Sequence, residues 1–260
     1  MKQPEYSSIA RVLFEAEQQR IPIEPLSKTY PSLTTEQAYR IQSTWQEMKL
    51  QAGMALVGHK IGLTSLAMQQ QFGVDQPDYG FLLDTMNVLS GSSLGRSDFI
   101  APRIEPEIAF WLAKDVRGPG VTVEHVMAAT RGVSAALELV DSRIADWRIK
   151  LVDTIADNAS SARIIISEHV VAPGDIDLVA EHVTLIRNGE TCGSGTGAAV
   201  MGHPANAVAW LANTLAEFGI WLQAGQVVLP GAMCASASVG AGETYRANFT
   251  HLGEVSIHFE

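Results

Sequence analysis

The sequence predicts an α+β protein in which a helical arm over residues 1–54 precedes a β-rich body over residues 55–260. Three observations lead there. Apolar residues recur at helical spacing near the start, short apolar runs punctuated by Gly, Pro and Asp follow Ala55, and strands and helices never settle into regular alternation. The last point argues against a Rossmann sheet or a TIM barrel.

In the arm, Ile9, Val12, Leu13 and Ala16 form one helical stripe, stopped by Pro22 and Pro25. Thr34 followed by Gln37 reads as a capping box, and Ala38, Ile41, Trp45 and Met48 continue a second helix that Gly53 closes. Such stripes are ordinarily packing surface, so the arm is expected to lie on the body; apolar faces left over would suit a homo-oligomer. In the body, LVGHKIGLT, FLL, RIEPEIAFWLA, AALELVDSR, ARIIIS, HVTLIRNG, QVVLPGA and VSIHF read as strands, with Asn188-Gly189 as a hairpin turn. Two helices interrupt them, one from Val123 to Arg131 and one from Pro204 to Phe218. The second carries Ala207, Trp210, Leu211, Leu215 and Phe218 on one face and ends at Gly219.

Composition narrows the function. Of 260 residues, 47% are hydrophobic and 18% charged, enough apolar mass for a core and too little charge for disorder. A net charge of −10 without a basic stripe excludes a nucleic-acid partner. An anionic substrate is still admissible if a metal or a few cations reverse the field locally. The two cysteines, Cys192 and Cys234, form no CxxC pair, which argues against a disulfide scaffold or thiolate zinc site. No apolar leader follows Met1 and no run of about 18 apolar residues occurs, so no membrane is expected and a cytoplasmic location is.

Five constellations have chemical potential. In Arg103-Ile104-Glu105-Pro106-Glu107, strand geometry puts Glu105 and Glu107 on one face, where they repel unless water or a cation intervenes. That admits a hard divalent metal or, more ordinarily, a solvated polar face. Glu138, inside the apolar run AALELV, reads as a third oxygen ligand, a water-facing edge residue, or an ion-pair partner of Arg143. Lys60, in Gly58-His59-Lys60-Ile61-Gly62, reads either as a cation orienting a substrate oxygen or carboxylate, or as a surface lysine. Gln76-Pro77-Asp78-Tyr79-Gly80 is explained by turn chemistry alone. Asp153-Thr154-Ile155-Ala156-Asp157-Asn158-Ala159-Ser160-Ser161 reads as a pocket lining or as a loop and helix cap. Gly193, Gly195 and Ala198 fit a loose GxGxxA, but no βαβ unit follows, so a dinucleotide site is not expected. The seven histidines show neither HxxxH nor HExxH spacing, and GxSxG and Walker loops are absent.

Taken together, GHKIGLTS, GVDQPDYGFLLD, PRIEPEIAF, ALELVDSRIADW, DTIADNASS, GHPANAVAWLANTL and AGQVVLPGA, in this order and spacing, resemble the hydratase/decarboxylase family of the fumarylacetoacetase-like superfamily. The resemblance covers essentially the whole chain. It implies a mixed β-sandwich roll like the fumarylacetoacetase C-terminal domain, with Glu105, Glu107 and Glu138 as ligands of Mg²⁺ or Mn²⁺. It further implies Lys60 beside the metal and Asp78 as catalytic residues, with Arg103 and Ser160 in substrate contact. The substrate would be a small 2-hydroxy-dienoate or 2-oxo-enoate acid from ring-cleavage catabolism of aromatic or steroid compounds.

Within the family, Asp78 and Arg103 resemble the hydratase branch rather than 2-oxo-3-hexenedioate (4-oxalocrotonate) decarboxylases. The direct run from Asp141-Ser142-Arg143 into Ile144-Ala145-Asp146-Trp147 lacks the insertion of a dicarboxylate-using relative, so a monocarboxylate is expected. HKIGLTSLAMQQ and VVLPG look most like hydratases taking 2-hydroxyhexa-2,4-dienoate, with the pentadienoate enzymes close behind. The resemblance also implies a homo-oligomer built on rings of five or ten. A reading of another class is a non-catalytic assembly partner that retains the fold.

Overall fold

The computed structural model describes residues 5–65, 69, 74 and 76–260. Parts of two strings that carry the resemblance, HKIGLTSLAMQQ and GVDQPDYG, therefore lie outside the described residues. The arm consists of helices α1 (Tyr6–Gln19), α2 (Leu26–Thr29) and α3 (Thr35–Gln51). The capping box at Thr34 is formed in both directions, with Gln37 N–H donating to Thr34 and Thr34 N–H donating to the Gln37 side chain. Glycine past the last turn does what its sequence position suggested, Gly53 having φ +94°.

The body holds two sheets. The larger has the order β2 (Asp78–Leu83), β1 (Leu56–Gly62), β10 (Val227–Leu229), β5 (Arg103–Leu112), β6 (Thr130–Val140), β7 (Ser161–Ile166), β3 (Asn87–Leu89), with β11 (Ala237–Ser238) also pairing with β5. The smaller runs β4 (Ser93–Leu94), β13 (Glu254–Phe259), β12 (Thr244–Phe249), β8 (His182–Arg187), β9 (Glu190–Thr196). The β8–β9 hairpin turns at Asn188-Gly189, both at positive φ, as a type I′ turn requires.

Alternation along β5 and β6 separates two apolar cores. Ile104, Ile108, Leu137 and Leu139 pack with Leu185, Tyr245, Ile257 and Phe259 of the smaller sheet and with α5 (Pro204–Ala216). Ala109 and Ala136 pack instead with Leu13, Ile41 and Trp45 of the arm. Each core side chain removed from water contributes about 1.5–3 kcal/mol, so arm and body stabilise each other.

Several expectations change. The stripe of α1 and α3 packs on the body as expected, with Ile9, Leu13, Ile41 and Trp45 each under 5% exposed, but Val12, counted in that stripe, is 44% exposed. The helix expected over Val123 to Arg131 stops at Ala129 (α4, Val123–Ala129), because β6 starts at Thr130 and pairs with β5 from its first residue. The helix expected to reach Phe218 ends at Ala216, leaving Phe218 45% exposed off the buried face. Asp78-Tyr79-Gly80 is not a turn; it opens β2, paired through Gly62↔Asp78 and Lys60↔Gly80. Lys60 accordingly sits on a strand flanked on both sides rather than at an edge.

Candidate active site

Glu105 and Glu138 face each other directly across the β5–β6 ladder, and Glu107 follows two residues along the same face. One carboxylate oxygen from each lies within 4.8 Å of the others. Like charges so placed repel, and burial worsens it: Glu107 and Glu138 are both 0% exposed. Burial, with the nearby charges of Glu138 and Asp78, pushes the Glu105 carboxyl up to about 7. Glu107 is raised well above the usual carboxylate range by burial and by Glu138. Glu107 and Glu138 are each fixed by a neutral donor: Gly231 N–H donates to Glu107 Oε2 at 2.8 Å, and Ser161 Oγ donates to Glu138 Oε1 at 2.7 Å. Glu107 Oε1, fully buried, has no hydrogen-bond partner among the described residues. Pro106 fits in mid-strand because it lies between the stretches of β5 that pair with β10 (Phe110, Trp111) and β11 (Arg103, Ile104), where its carbonyl accepts from Met233 N–H at 3.0 Å and no N–H is needed.

Lys60 enters this cluster from β1. Its Nζ is 3.1 Å from Glu138 Oε2 and donates to Ala159 O at 3.0 Å. Burial works against the ammonium, but the combined charge of Glu138, Asp78, Glu105 and Glu107 outweighs it and holds its pKa above the ordinary lysine value. Ala159 O is presented by three consecutive non-glycine residues with left-handed backbone, Asn158, Ala159 and Ser160. Such a run costs roughly 1–2 kcal/mol per residue and must be pinned. The Asn158 side chain does this by bonding Phe81 N–H and Phe81 O of β2.

Asp78 completes the charged group. Its Oδ2 accepts from Thr154 Oγ1 at 2.8 Å, and burial raises its carboxyl above the usual range despite Lys60. Gly62 makes room for it: a Cβ there would lie 2.3 Å from Asp78 Oδ1. Asp157 accepts from Arg143 Nε at 2.6 Å and from Ser160 Oγ at 3.1 Å, so Arg143 serves Asp157 and the alternative pairing with Glu138 is excluded. Asp153 is a loop fastener, accepting from Ser27 N–H and Lys150 N–H.

A cavity of about 450 Å³, part of it open to solvent, lies above the carboxylates. Lys60, Asp78, Arg103, Glu105 and Ser160 line it, so five of the seven residues singled out in the sequence meet on one surface, with Glu107 and Glu138 joined to them through the cluster. Sequence reasoning missed Thr154, Trp147, Ile149, Leu63 and Val140, which also line it. Thr154 was visible only as a hydroxyl in the polar run 153–161; Leu63, Val140 and Trp147 fall inside strings that carry the resemblance but, like Ile149, are apolar residues with no chemistry of their own to mark them.

The donor set fits a hard divalent cation. Among the described residues, three carboxylates with Asp78 face only Lys60 and the more distant Arg103, and a buried acceptor is orphaned at Glu107; an oxygen-only cluster of this kind selects Mg²⁺ or Mn²⁺ over softer metals.

Fold and site together define an enzyme scaffold in which a curled sheet presents an acidic triad able to hold a metal ion at the floor of a small cavity. Residues 57–259 match the fumarylacetoacetate (FAA) hydrolase C-terminal family, and the chain belongs to that family. It is 44% identical to 2-hydroxyhexa-2,4-dienoate hydratase of Comamonas testosteroni over 249 residues, covering 95% of this chain and 94% of that protein. It is 42% identical to 2-oxo-hept-4-ene-1,7-dioate hydratase of Escherichia coli, covering 98% and 97%. Among solved structures, 4-oxalocrotonate decarboxylase from Pseudomonas putida G7, complexed with magnesium and adipate, superposes with a TM-score of 0.97 at 35% identity, covering 100% of this chain and 99% of that one.

Proposed function

We propose that the protein is a divalent-metal-dependent hydratase converting a 2-hydroxypenta- or 2-hydroxyhexa-2,4-dienoate to the 4-hydroxy-2-oxoalkanoate, in ring-cleavage catabolism of aromatic or steroid compounds. The observation that carries this is the convergence of Glu105, Glu107 and Glu138 beneath a cavity that also reaches Asp78. The two hydratases at 42–44% identity over nearly the full chain support the reaction class.

Glu105, Glu107 and Glu138 would hold Mg²⁺ or Mn²⁺, and the bound ion would supply Lewis-acid polarisation of the substrate 2-oxygen. Hydration requires loss of the 2-hydroxyl proton and gain of one at C5 to give the conjugated ketone, then addition of water, its hydroxyl at C4 and its proton at C3. Asp78 is the group in the cavity suited to carry these protons, its carboxyl raised by burial and oriented by Thr154. Lys60 keeps its proton and places positive charge beside the developing oxyanion while steadying Glu138. Arg103 and Ser160 line the substrate space, Ser160 with its hydroxyl turned to Asp157.

The same reading takes residues 1–54 as an arm and 55–260 as the catalytic body of a cytoplasmic homo-oligomer built on pentamers. Two free thiols suit a reducing compartment. Among the described residues, no helix is long and apolar enough to cross a membrane.

The test is a series of 2-hydroxy-dienoates of increasing length, assayed with and without Mg²⁺ by loss of dienol absorbance. Turnover of the five- and six-carbon acids that stops on chelation is expected; turnover indifferent to chelation overturns the metal role. A second reading, decarboxylation of 2-oxo-3-hexenedioate, is favoured by the 0.97 superposition on a decarboxylase. It predicts CO₂ release, which the hydratase does not produce. Failure to bind Mg²⁺ in calorimetry would favour a non-catalytic assembly partner instead.

A further inference from the structure

The cavity has one wall that none of the preceding chemistry uses. The segment from Ile144 to Ile149 crosses beside it as a strap, and Trp147 and Ile149 line the space. Asp146 and Trp147 both adopt left-handed backbone, at φ 60° and 54°. For a bulky non-glycine residue this is costly and persists only where its surroundings over-determine it. The surroundings here do so from three directions.

At its start the strap is bolted to the arm. Ile23 N–H donates to Arg143 O and Ala145 N–H donates to Ile23 O, both at 2.8 Å, and Arg148 pairs with Glu24 at 3.0 Å. From the side, the Trp147 indole Nε1–H donates to Ala101 O at 2.9 Å. Ala101 is itself fixed, its N–H donating to Asp141 Oδ1 at 2.7 Å. Above, the Arg103 guanidinium carbon lies 4.5 Å from the Trp147 ring centroid, a cation–π stack.

Arg103 is otherwise unengaged. Among the described residues it forms no ion pair within 4 Å, and its charge reaches Glu105 only at longer range. It stands two residues before Glu105 on β5, about 7 Å along the strand and on the same face. That spacing suits a guanidinium that pairs with the carboxylate of a 2-oxo acid lying over the acidic cluster. A free arginine side chain would lose considerable rotamer freedom on binding; one already stacked on an indole loses less.

We propose that Trp147 is a positioning residue: held by the arm and by Ala101, it stacks the Arg103 guanidinium in the orientation that receives the substrate carboxylate. This rests on the reading of the cavity as the binding site of a 2-oxo or 2-hydroxy acid. Trp147 acts through Arg103 on binding shared by ground state and transition state, so its loss raises KM and leaves kcat nearly unchanged.

The test is calorimetric titration of the Mg²⁺-loaded protein with 2-oxopentanoate, a saturated and unreactive probe, alongside steady-state kinetics. Trp147→Ala is expected to weaken binding about 10-fold, equivalent to about 1.4 kcal/mol. Trp147→Phe, which keeps an aromatic face, stays within about 3-fold of the parent, and Mg²⁺ affinity is unchanged in both. Arg103→Ala weakens binding at least as much, and adding Trp147→Ala to it costs nothing further, the signature of one residue acting through another. Unimpaired binding by Trp147→Ala, or losses that add in the double variant, overturns the positioning role while leaving the site reading intact. Parent protein that binds Mg²⁺ but no 2-oxopentanoate overturns both.

Discussion

Lys60 Nζ sits 3.1 Å from Glu138 Oε2 and 3.0 Å from Ala159 O, so one ammonium ties the acidic floor of the cavity to the left-handed loop that forms its rim. It is the cation closest to a group of four buried or half-buried acids, and its removal should be felt first in folding. Lys60→Met is expected to cost about 3–5 kcal/mol in metal-free protein, as for other buried pairs that lose one partner. Urea denaturation with and without Mg²⁺ reads this, with saturating Mg²⁺ recovering more stability in the variant than in the parent. An unchanged midpoint without metal would show that Glu138 does not depend on Lys60.

Glu107 tests the metal cluster most cleanly. One of its oxygens is satisfied by Gly231 N–H and the other has no partner, so an amide can keep the first role only by reorienting and cannot supply the anionic second. Glu107→Gln is expected to fold, to lose Mg²⁺ affinity by more than the roughly 10–100-fold typical of residues that merely support a ligand, and to lose turnover with it. Calorimetry and circular dichroism separate these effects. Retained Mg²⁺ affinity would remove Glu107 from the ligand set.

Asp78 is predicted to move protons rather than bind substrate. Asp78→Asn should lower kcat by about 10²–10⁴, the range of general acid–base catalysis, with KM changed only a few-fold. Thr154→Val, which leaves Asp78 Oδ2 without its donor, should lose less, about 10-fold in kcat. Turnover untouched in Asp78→Asn would reduce Asp78 to a strand residue beside the cavity.

How much of this was legible in the sequence depended on whether the signal was local. The arm helices carried their own caps and stripes, and Asn188-Gly189 carried its own turn, so these could be read directly. The strand Thr244–Phe249 alternates Tyr245, Ala247 and Phe249 inward, yet went unread because Arg246 and Asn248 between them look like loop composition. Glu105 and Glu107 were legible as a pair sharing a strand face. That Glu138 stands opposite Glu105 was not, because cross-strand register is a property of two distant segments. The family resemblance chose among the three readings left open for Glu138, and the ladder sets that residue opposite Glu105. Trp147 stands in one of the strings that carry the resemblance but was not marked as a site residue: its place beside Arg103 depends on a strap conformation and a stacking partner 44 residues away, neither of which leaves a local pattern.

His59, next along β1 from Lys60, points away from it and makes the protein's stability sensitive to acid. Burial holds its imidazole down at about 4 against an ordinary value of 6.5, and among the described residues its Nδ1 has no hydrogen-bond partner. A depressed folded-state value means that the unfolded chain takes up the proton first as pH falls. The neutral, folded form is therefore fully favoured above pH 6.5, and its advantage is lost progressively between 6.5 and about 4. The limiting slope is about 1.4 kcal/mol per pH unit, which over that window amounts to roughly 3 kcal/mol. In His59→Leu this contribution disappears, so parent and variant should converge or cross as pH drops, the variant losing stability less steeply by up to one proton's worth. Denaturant unfolding at half-unit steps from pH 7.5 to 4 measures the difference. Parallel stability curves would mean that His59 titrates alike in the folded and unfolded chain, which is incompatible with an imidazole only 5% exposed.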